Sequence, residues 1–349
     1  MILKKLNKMP TKSVFMRKHN KVKKFLEKIL APESDIRTQK GIILIIVLWV
    51  LTILMVIVLS FSVMARTESY STLAYREELE KKFLAEAGVE RGIAELFYRN
   101  LFKNANIFEE GRRVWRADGT AYSVLLSPGY FTVKIIDESG KIDINTLTDL
   151  SGIILRSLLI NSGIQERDAS EIVDSILDWK DADDLRRLNG AEDDFYMSLP
   201  VPYKAKNGRF DTLEELLLVK GITPGILYGG NQKKGILDFI TIYSNSTTIN
   251  LLSAPKEVLL AVPGFTPEIA DEIISKREDL STTGVLNVTI PQESTQFVKQ
   301  TGSSNAYTIE SAGYKDKDKA AFAVRATVII DTANKFQYVY YKSPVQVRK

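Results

Sequence analysis

The stretch that decides the fold is Gly41–Ala65, GIILIIVLWVLTILMVIVLSFSVMA, with Lys40 before it and Arg66 after it. It contains no charged residue. Twenty-five residues at 1.5 Å each make a rod of about 37 Å, against a bilayer core of about 30 Å. A soluble core helix would carry a polar face, and none occurs before Arg66. This is a membrane-spanning pattern. Residues 1–40 hold twelve Lys or Arg and three acids. A basic flank stays in the cytoplasm, so everything after Ala65 is expected on the outer side of the membrane.

The helical pattern continues past Ala65 to about Asn100. Leu73, Leu79, Phe83, Leu84, Ala87, Ile93, Ala94, Leu96 and Phe97 follow three- and four-residue spacing, suited to packing one face on a sheet. Strand alternation follows at Ala121–Leu126 and Tyr130–Ile136, with Ser127-Pro128-Gly129 as the turn, and then at Lys141–Asn145. It returns at Ala306–Gly313, Ala320–Asp331 and Phe336–Ser343. Between these two clusters, residues 146–300 read as mostly helical, an insertion into an antiparallel sheet. The expected class is α+β: a long N-terminal helix on an antiparallel sheet with a large helical insertion. The expected divisions are 1–41, 42–65, 66–145, 146–300 and 301–349: leader, membrane half of the helix, amphipathic helix with first strands, insertion and closing strands.

The net charge of +4 belongs to the leader, and the rest of the chain is net acidic, which argues against a nucleic-acid partner. There is no Cys, and the only His is His19, which leaves no His for a catalytic triad or zinc site in the exported part. A secretory signal cut after Val63-Met64-Ala65 is disfavoured by the length of the apolar run. A plain uncleaved anchor is the remaining alternative.

Two motifs bear on chemistry. Leu259–Arg277, LLAVPGFTPEIADEIISKR, resembles a helix-hairpin-helix, which grips DNA phosphates through backbone amides. Pro267 lacks an amide and nearby acids offset Lys256, Lys276 and Arg277, so a packing module is the stronger reading. A membrane-anchored DNA-binding protein of an uptake system stands as the alternative function. The second motif places seven acids between Asp178 and Asp194, interleaved with Trp179 and followed by Phe195 and Tyr196. Asp181 and Asp183 alternate, and Glu192 can close a site from the far side. Calcium takes six to eight oxygens on such loops. A solvated acidic loop and a paired-carboxylate hydrolase are the competing readings.

The layout of basic leader, Gly, apolar helix and amphipathic continuation resembles the type IV pilin-like proteins. Asp178-Trp179-Lys180-Asp181-Ala182-Asp183, Gly190-Ala191-Glu192 and Asp211-Thr212-Leu213-Glu214-Glu215-Leu216-Leu217-Leu218-Val219-Lys220-Gly221-Ile222 resemble the K-type minor pseudopilins of type II secretion systems. The resemblance implies cleavage after Gly41 by a prepilin peptidase and methylation of Ile42. It implies Glu at the fifth mature position in most pilin-like relatives, where this chain has Ile46; the missing Glu fits the K-type. It implies a non-enzymatic subunit of the inner membrane with its globular part in the periplasm, at the tip of a pseudopilus with I- and J-type minor pseudopilins and other pseudopilus subunits. It also implies bound calcium, mapped here onto Asp181, Asp183, Asp184, Glu192 and Asp193.

Overall fold

The computed structural model describes residues 36–101, 114–230, 233–283, 286, 288–302, 304–315, 321–331, 333 and 335–345. Most of the expected leader, His19 included, lies outside the described residues. The chain divides into two units, Met1–Leu73 and Ala74–Lys349.

Helix α1 runs Ile36–Leu101 without interruption. It starts ahead of Gly41, because a single Gly in a helix costs only about 1 kcal/mol relative to Ala. Within the first unit the side chains from Ile42 to Met64 are exposed, Ile42 and Ile46 among them. This is the one helix among the described residues long and apolar enough to cross a membrane. Its hydroxyls bond back to the helix itself: Thr52 Oγ1 donates to Trp49 O at 2.7 Å, and Thr67 Oγ1 to Val63 O at 2.9 Å. Polar groups satisfied within the helix are what a lipid environment requires.

In the second unit the rest of α1 turns Leu84, Ala85, Val89, Ile93 and Leu96 onto a five-stranded antiparallel sheet. The strands are β1 (Asp118–Leu126), β2 (Gly129–Asp137), β9 (Ala306–Tyr314), β10 (Phe322–Ile330) and β11 (Phe336–Val345), in that spatial order. Period-two alternation sends Phe131, Val133 and Ile135 of β2 inward, beside Tyr307, Ile309, Val324, Ala326 and Val328. Helix and sheet meet closely at Gly88. A Cβ there would collide with Ser311 Oγ and lie 2.9 Å from the Phe131 ring and 3.0 Å from Val133. Gly88→Val is expected to destabilise the second unit by about 1–3 kcal/mol through overpacking. Gly230→Ala, with open space around it, is the control for the thermal melt. Equal melting temperatures for the two variants would contradict this packing.

All five long strands fall where alternation predicts them, within three residues at each end. Lys141–Asn145 differs: only Ile142–Asp143 (β3) is extended, followed by a 3-10 turn, Ile144–Thr146. The Asp143 carboxylate causes the turn by accepting from the amides of Asn145 and Thr146. The block between β2 and β9 has its own core, from Ile142 to Val298. Its helices are α2 (Gly152–Asn161), α3 (Glu166–Lys180), α4 (Asp193–Tyr196), α5 (Pro224–Tyr228), α6 (Lys256–Leu259) and α7 (Pro267–Thr283). It also holds short strand pairs, β3 (Ile142–Asp143) with β6 (Ile240–Thr241), β4 (Gly229–Gly230) with β5 (Lys233–Lys234), and β7 (Ile249–Asn250) with β8 (Val298–Lys299). Leu213–Leu218 is 3-10 rather than α-helical.

The two ends of the block are pinned at Asp137. Its Oδ1 accepts from Ser139 N at 2.9 Å and Ser139 Oγ at 2.7 Å. It also accepts from Ser304 Oγ at 2.7 Å and Ser304 N at 3.2 Å. An ion pair between Asp238 and Arg325, 3.6 Å, ties the block to β10.

Candidate metal centre

Helix α3 buries Ala169, Ile172, Val173, Ile176, Leu177 and Trp179 and carries one charge, Asp178, onto its buried side. Trp179 is fixed by its Nε1 donating to Glu215 Oε1 at 2.9 Å and packs edge-on to Tyr196. The helix stops at Asp181, where the backbone turns extended, and the acidic loop begins.

Arg187 organises that loop. Its Nη1 lies 2.8 Å from Asp178 Oδ1 and 2.5 Å from Asp181 Oδ2, and its Nε lies 2.9 Å from Asp149 Oδ1. Its backbone N–H also donates to Asp178. The carboxylate of Asp149, then those of Asp181 and Asp178, hold the guanidinium even more firmly protonated than usual. Burial pushes Asp178 up, against the pull of Arg187. Gly190 is required beside it, since a Cβ there would collide with Asp178 Oδ2. Asn189 donates to Asp174 Oδ2 from both its backbone and its side chain, at 3.1 and 2.9 Å, which returns the loop to α3.

The predicted ligands separate into two groups. Asp181, Asp183, Asp184 and Glu192 belong to one neighbourhood. Glu192 is 3% exposed. Burial first, then the charges of Asp178, Asp181, Asp184 and Asp183, push its carboxyl up to about 7. Asp183 Oδ1 accepts from Leu185 N at 2.8 Å, and Asp184 Oδ1 from Asn207 Nδ2 at 3.0 Å. Asp193 is engaged elsewhere: Oδ1 accepts from Ala205 N at 2.8 Å and Oδ2 pairs with Lys204 Nζ at 2.9 Å. These contacts hold it below the usual carboxylate range, the Lys204 bond contributing most.

As the side chains stand, no three Asp, Glu, His or Cys groups among the described residues form a ready cage. Yet Asp181 Oδ1, both carboxylate oxygens of Glu192 and Asn207 Oδ1 are buried with no donor facing them. Buried acceptors ordinarily have a partner. Four unmatched oxygens among crowded carboxylates fit a hard, oxygen-seeking cation such as calcium. Spacing in the sequence pointed to the acids. It did not point to Arg187, Asp149 or Asn207, whose roles depend on contacts that span up to 38 residues.

The nearby open cleft, about 410 Å³, is lined by Arg167, Glu171, Arg186, Leu188, Asn189, Gly190 and Lys220. Its one carboxylate, Glu171, is paired with Lys220 at 3.2 Å, so the cleft lacks the two acids that the hydrolase reading requires. The hairpin at Val262-Pro263-Gly264-Phe265 turns at Gly264, which is left-handed with φ +80°. The Glu293 carboxylate sits against that glycine, where a phosphate would have to approach. Arg277 is buried and donates to Leu251 O at 2.6 Å and Ala254 O at 2.8 Å. These are packing roles, and the DNA-binding alternative has no support in them.

Comparison with known proteins agrees. Residues 140–228, which include the whole acidic loop, match the family described as Type II secretion system (T2SS), protein K. The type II secretion system protein K of Klebsiella pneumoniae is 26% identical over 234 residues, 64% of this chain and 69% of that protein. That of Pectobacterium carotovorum subsp. carotovorum is 45% identical over 69 residues, and a putative one of Escherichia coli K12 is 42% identical over 78. These two alignments span 21% and 24% of the relatives' own lengths. The fold resembles a chain in the crystal structure of the GspK-GspI-GspJ complex of the enterotoxigenic Escherichia coli type 2 secretion system. The TM-score is 0.51 at 15% identity, covering 80% of this chain and all of that one. The chain is thus similar to type II secretion system protein K, through residues 140–228 and through an alignment over 64% of its length.

Proposed function

We propose that this protein is a minor pseudopilin that initiates or caps the pseudopilus of a type II secretion system during protein export. One observation carries the reading. A single helix joins a charge-free apolar stretch to an amphipathic half packed on an antiparallel sheet, and that sheet is interrupted by the protein K domain. The apolar half holds the subunit in the inner membrane, with the globular part in the periplasm. On extraction it packs in a helix bundle with its neighbours. The part is structural, with no reaction assigned to it. The structural relative was solved as an assembly with GspI and GspJ, which supports I- and J-type minor pseudopilins as partners.

Ile46 suits an end position. Other pilin-like subunits carry a carboxylate there to meet a neighbour's N-terminal ammonium, and an unpaired carboxylate in lipid is costly. A tip subunit has no neighbour above it. In this reading prepilin peptidase cuts after Gly41 and Ile42 becomes the methylated N-terminus. Calcium is the resident ion of the acidic loop. Asp181 and Glu192 would hold it, with Asp183 and Asp184 alongside. The ion supplies positive charge that holds the crowded carboxylates together.

The test is co-expression with prepilin peptidase and the I- and J-type subunits. Protein purified from membranes should begin at methylated Ile42 by mass and N-terminal sequence, and should retain both partners. An intact Met1 or a start at Arg66 removes the processing reading. Failure to retain either partner removes the tip assignment.

A further inference from the structure

Strand β11 ends the five-stranded sheet on one side, and among the described residues only β10 pairs with it. Residues 336–341, FQYVYY, contain no charge, Pro or Gly. An open edge of this composition is a template for another strand, and proteins ordinarily blunt such edges with charge, Pro or a covering element. Here the charges, Lys335 and Lys342, stand at the two ends of the stretch.

Helix α1 runs beside this edge, and three contacts set the alignment. Phe97 meets Phe336 with ring centroids 6.0 Å apart. Tyr338 Oη donates to Glu90 Oε1 at 2.9 Å, and Tyr341 hydrogen-bonds Glu86. Helix numbers fall as strand numbers rise, so the two elements lie antiparallel. Glu86 to Phe97 covers about 17 Å of helix, and Phe336 to Tyr341 about 17 Å of strand. The equal lengths mean that they run alongside each other rather than cross. Phe336, Tyr338 and Tyr341 are 39%, 37% and 47% exposed, so a large part of each ring is open. Successive rings meet edge-on at 5.4 and 5.9 Å. Glu90 is exposed, and Glu86 lies 3.8 Å from Lys82. The free edge is thus bordered by a ladder of rings with two carboxylates behind it.

We propose that the outer edge of β11 receives a strand from a partner polypeptide in which aliphatic residues alternate with Lys or Arg. The basic side chains lie over the Tyr338 and Tyr341 rings and reach Glu90 and Glu86. Alternate residues of a strand are about 6.8 Å apart, close to the rise of about 6 Å between Glu86 and Glu90. Cations over tyrosine faces add to the attraction. A second copy of this chain is a poor occupant, because antiparallel pairing of two β11 edges brings both sets of carboxylates to one face. The surface lies wholly in the second unit, and the inference does not depend on the secretion reading.

The probe is a short fluorescent peptide alternating Val and Lys, titrated with the full-length protein in detergent and followed by anisotropy. Saturable binding is expected. The double variant Glu86→Gln/Glu90→Gln should bind about five- to tenfold more weakly, with a melting curve showing that it is folded. N-methylation of the peptide's backbone amides should abolish binding, since an added strand is held by main-chain hydrogen bonds. Absence of binding overturns the proposal. So does equal affinity for a peptide alternating Val and Glu, or for the N-methylated peptide. Peptide binding that is blocked because the protein dimerises through β11 replaces the partner strand with a second copy and overturns it as well.

Discussion

Arg187→Met, in calcium-free solution, is expected to destabilise the second unit by about 3–5 kcal/mol, the usual cost of removing one partner from a buried ion pair. Asp178 is fully buried and takes its charge compensation from this one guanidinium. Asp181 and Asp149 depend on the same group. Met keeps most of the apolar stem, so the loss isolates the charge. Arg186→Met is the control: Arg186 is exposed and 3.5 Å from Asp194, and such pairs contribute about 0–1 kcal/mol. Denaturant melts should separate the two variants clearly. Adding Asp178→Asn to Arg187→Met should recover part of the loss, the coupling expected of two groups that act as a unit. Equal destabilisation by the two arginine variants would remove Arg187 from the centre of the loop.

With calcium proposed as the resident ion of the acidic loop, its removal is the second large expected effect. An ion that binds only the folded state, at a thousand times its dissociation constant, stabilises by about 4.1 kcal/mol. Chelation should lower the melting temperature accordingly, and Glu192→Gln should largely abolish the response. The effect should also depend on pH. In the metal-free protein Glu192 titrates near 7, above the ordinary 4.5. A raised carboxyl favours the folded state below about pH 4.5, and that contribution disappears as pH rises through 7. Metal-free protein should therefore melt lower at pH 8 than at pH 5.5. Calcium needs the ionised form, so its stabilising increment should grow over the same interval. Asp149 and Asp193 are held below the carboxylate range and act at lower pH. An increment independent of pH between 5.5 and 8 would separate Glu192 from the ion.

The fold was legible where the sequence repeats a period. Twenty-five uncharged residues and the alternation of Phe131, Val133 and Ile135 leave little choice of structure. The insertion was legible as a block but not in detail. Leu213–Leu218 has helical residues yet forms 3-10 turns, and Asp143 converts an expected strand into a turn. Local capping decided these against the wider pattern. At the site, the acids were visible because they cluster in sequence. Which of them face one another was not. Asp193 is adjacent to Glu192 in the chain but pairs with Lys204. Asp149 and Asn207 reach the loop from outside it, and neither carries a distinguishing motif.

The sheet order has a consequence for how the protein comes into being. β2 ends at Asp137, and its neighbour β9 begins only at Ala306. The middle of the sheet thus cannot close until nearly the whole chain has been delivered, and pairing at such separation is slow. Until then the β1–β2 hairpin alone is available to shield Leu84, Val89, Ile93 and Leu96. Collapse of the inserted block shortens the gap, and Asp137 gathering Ser304 sets the strands to meet. The time the insertion takes to compact is therefore expected to set when the sheet closes. A subunit whose block is slow to compact, or whose last strands are lost to proteolysis, presents a bare apolar helix face to chaperones and to aggregation, and it does so before any partner can claim it.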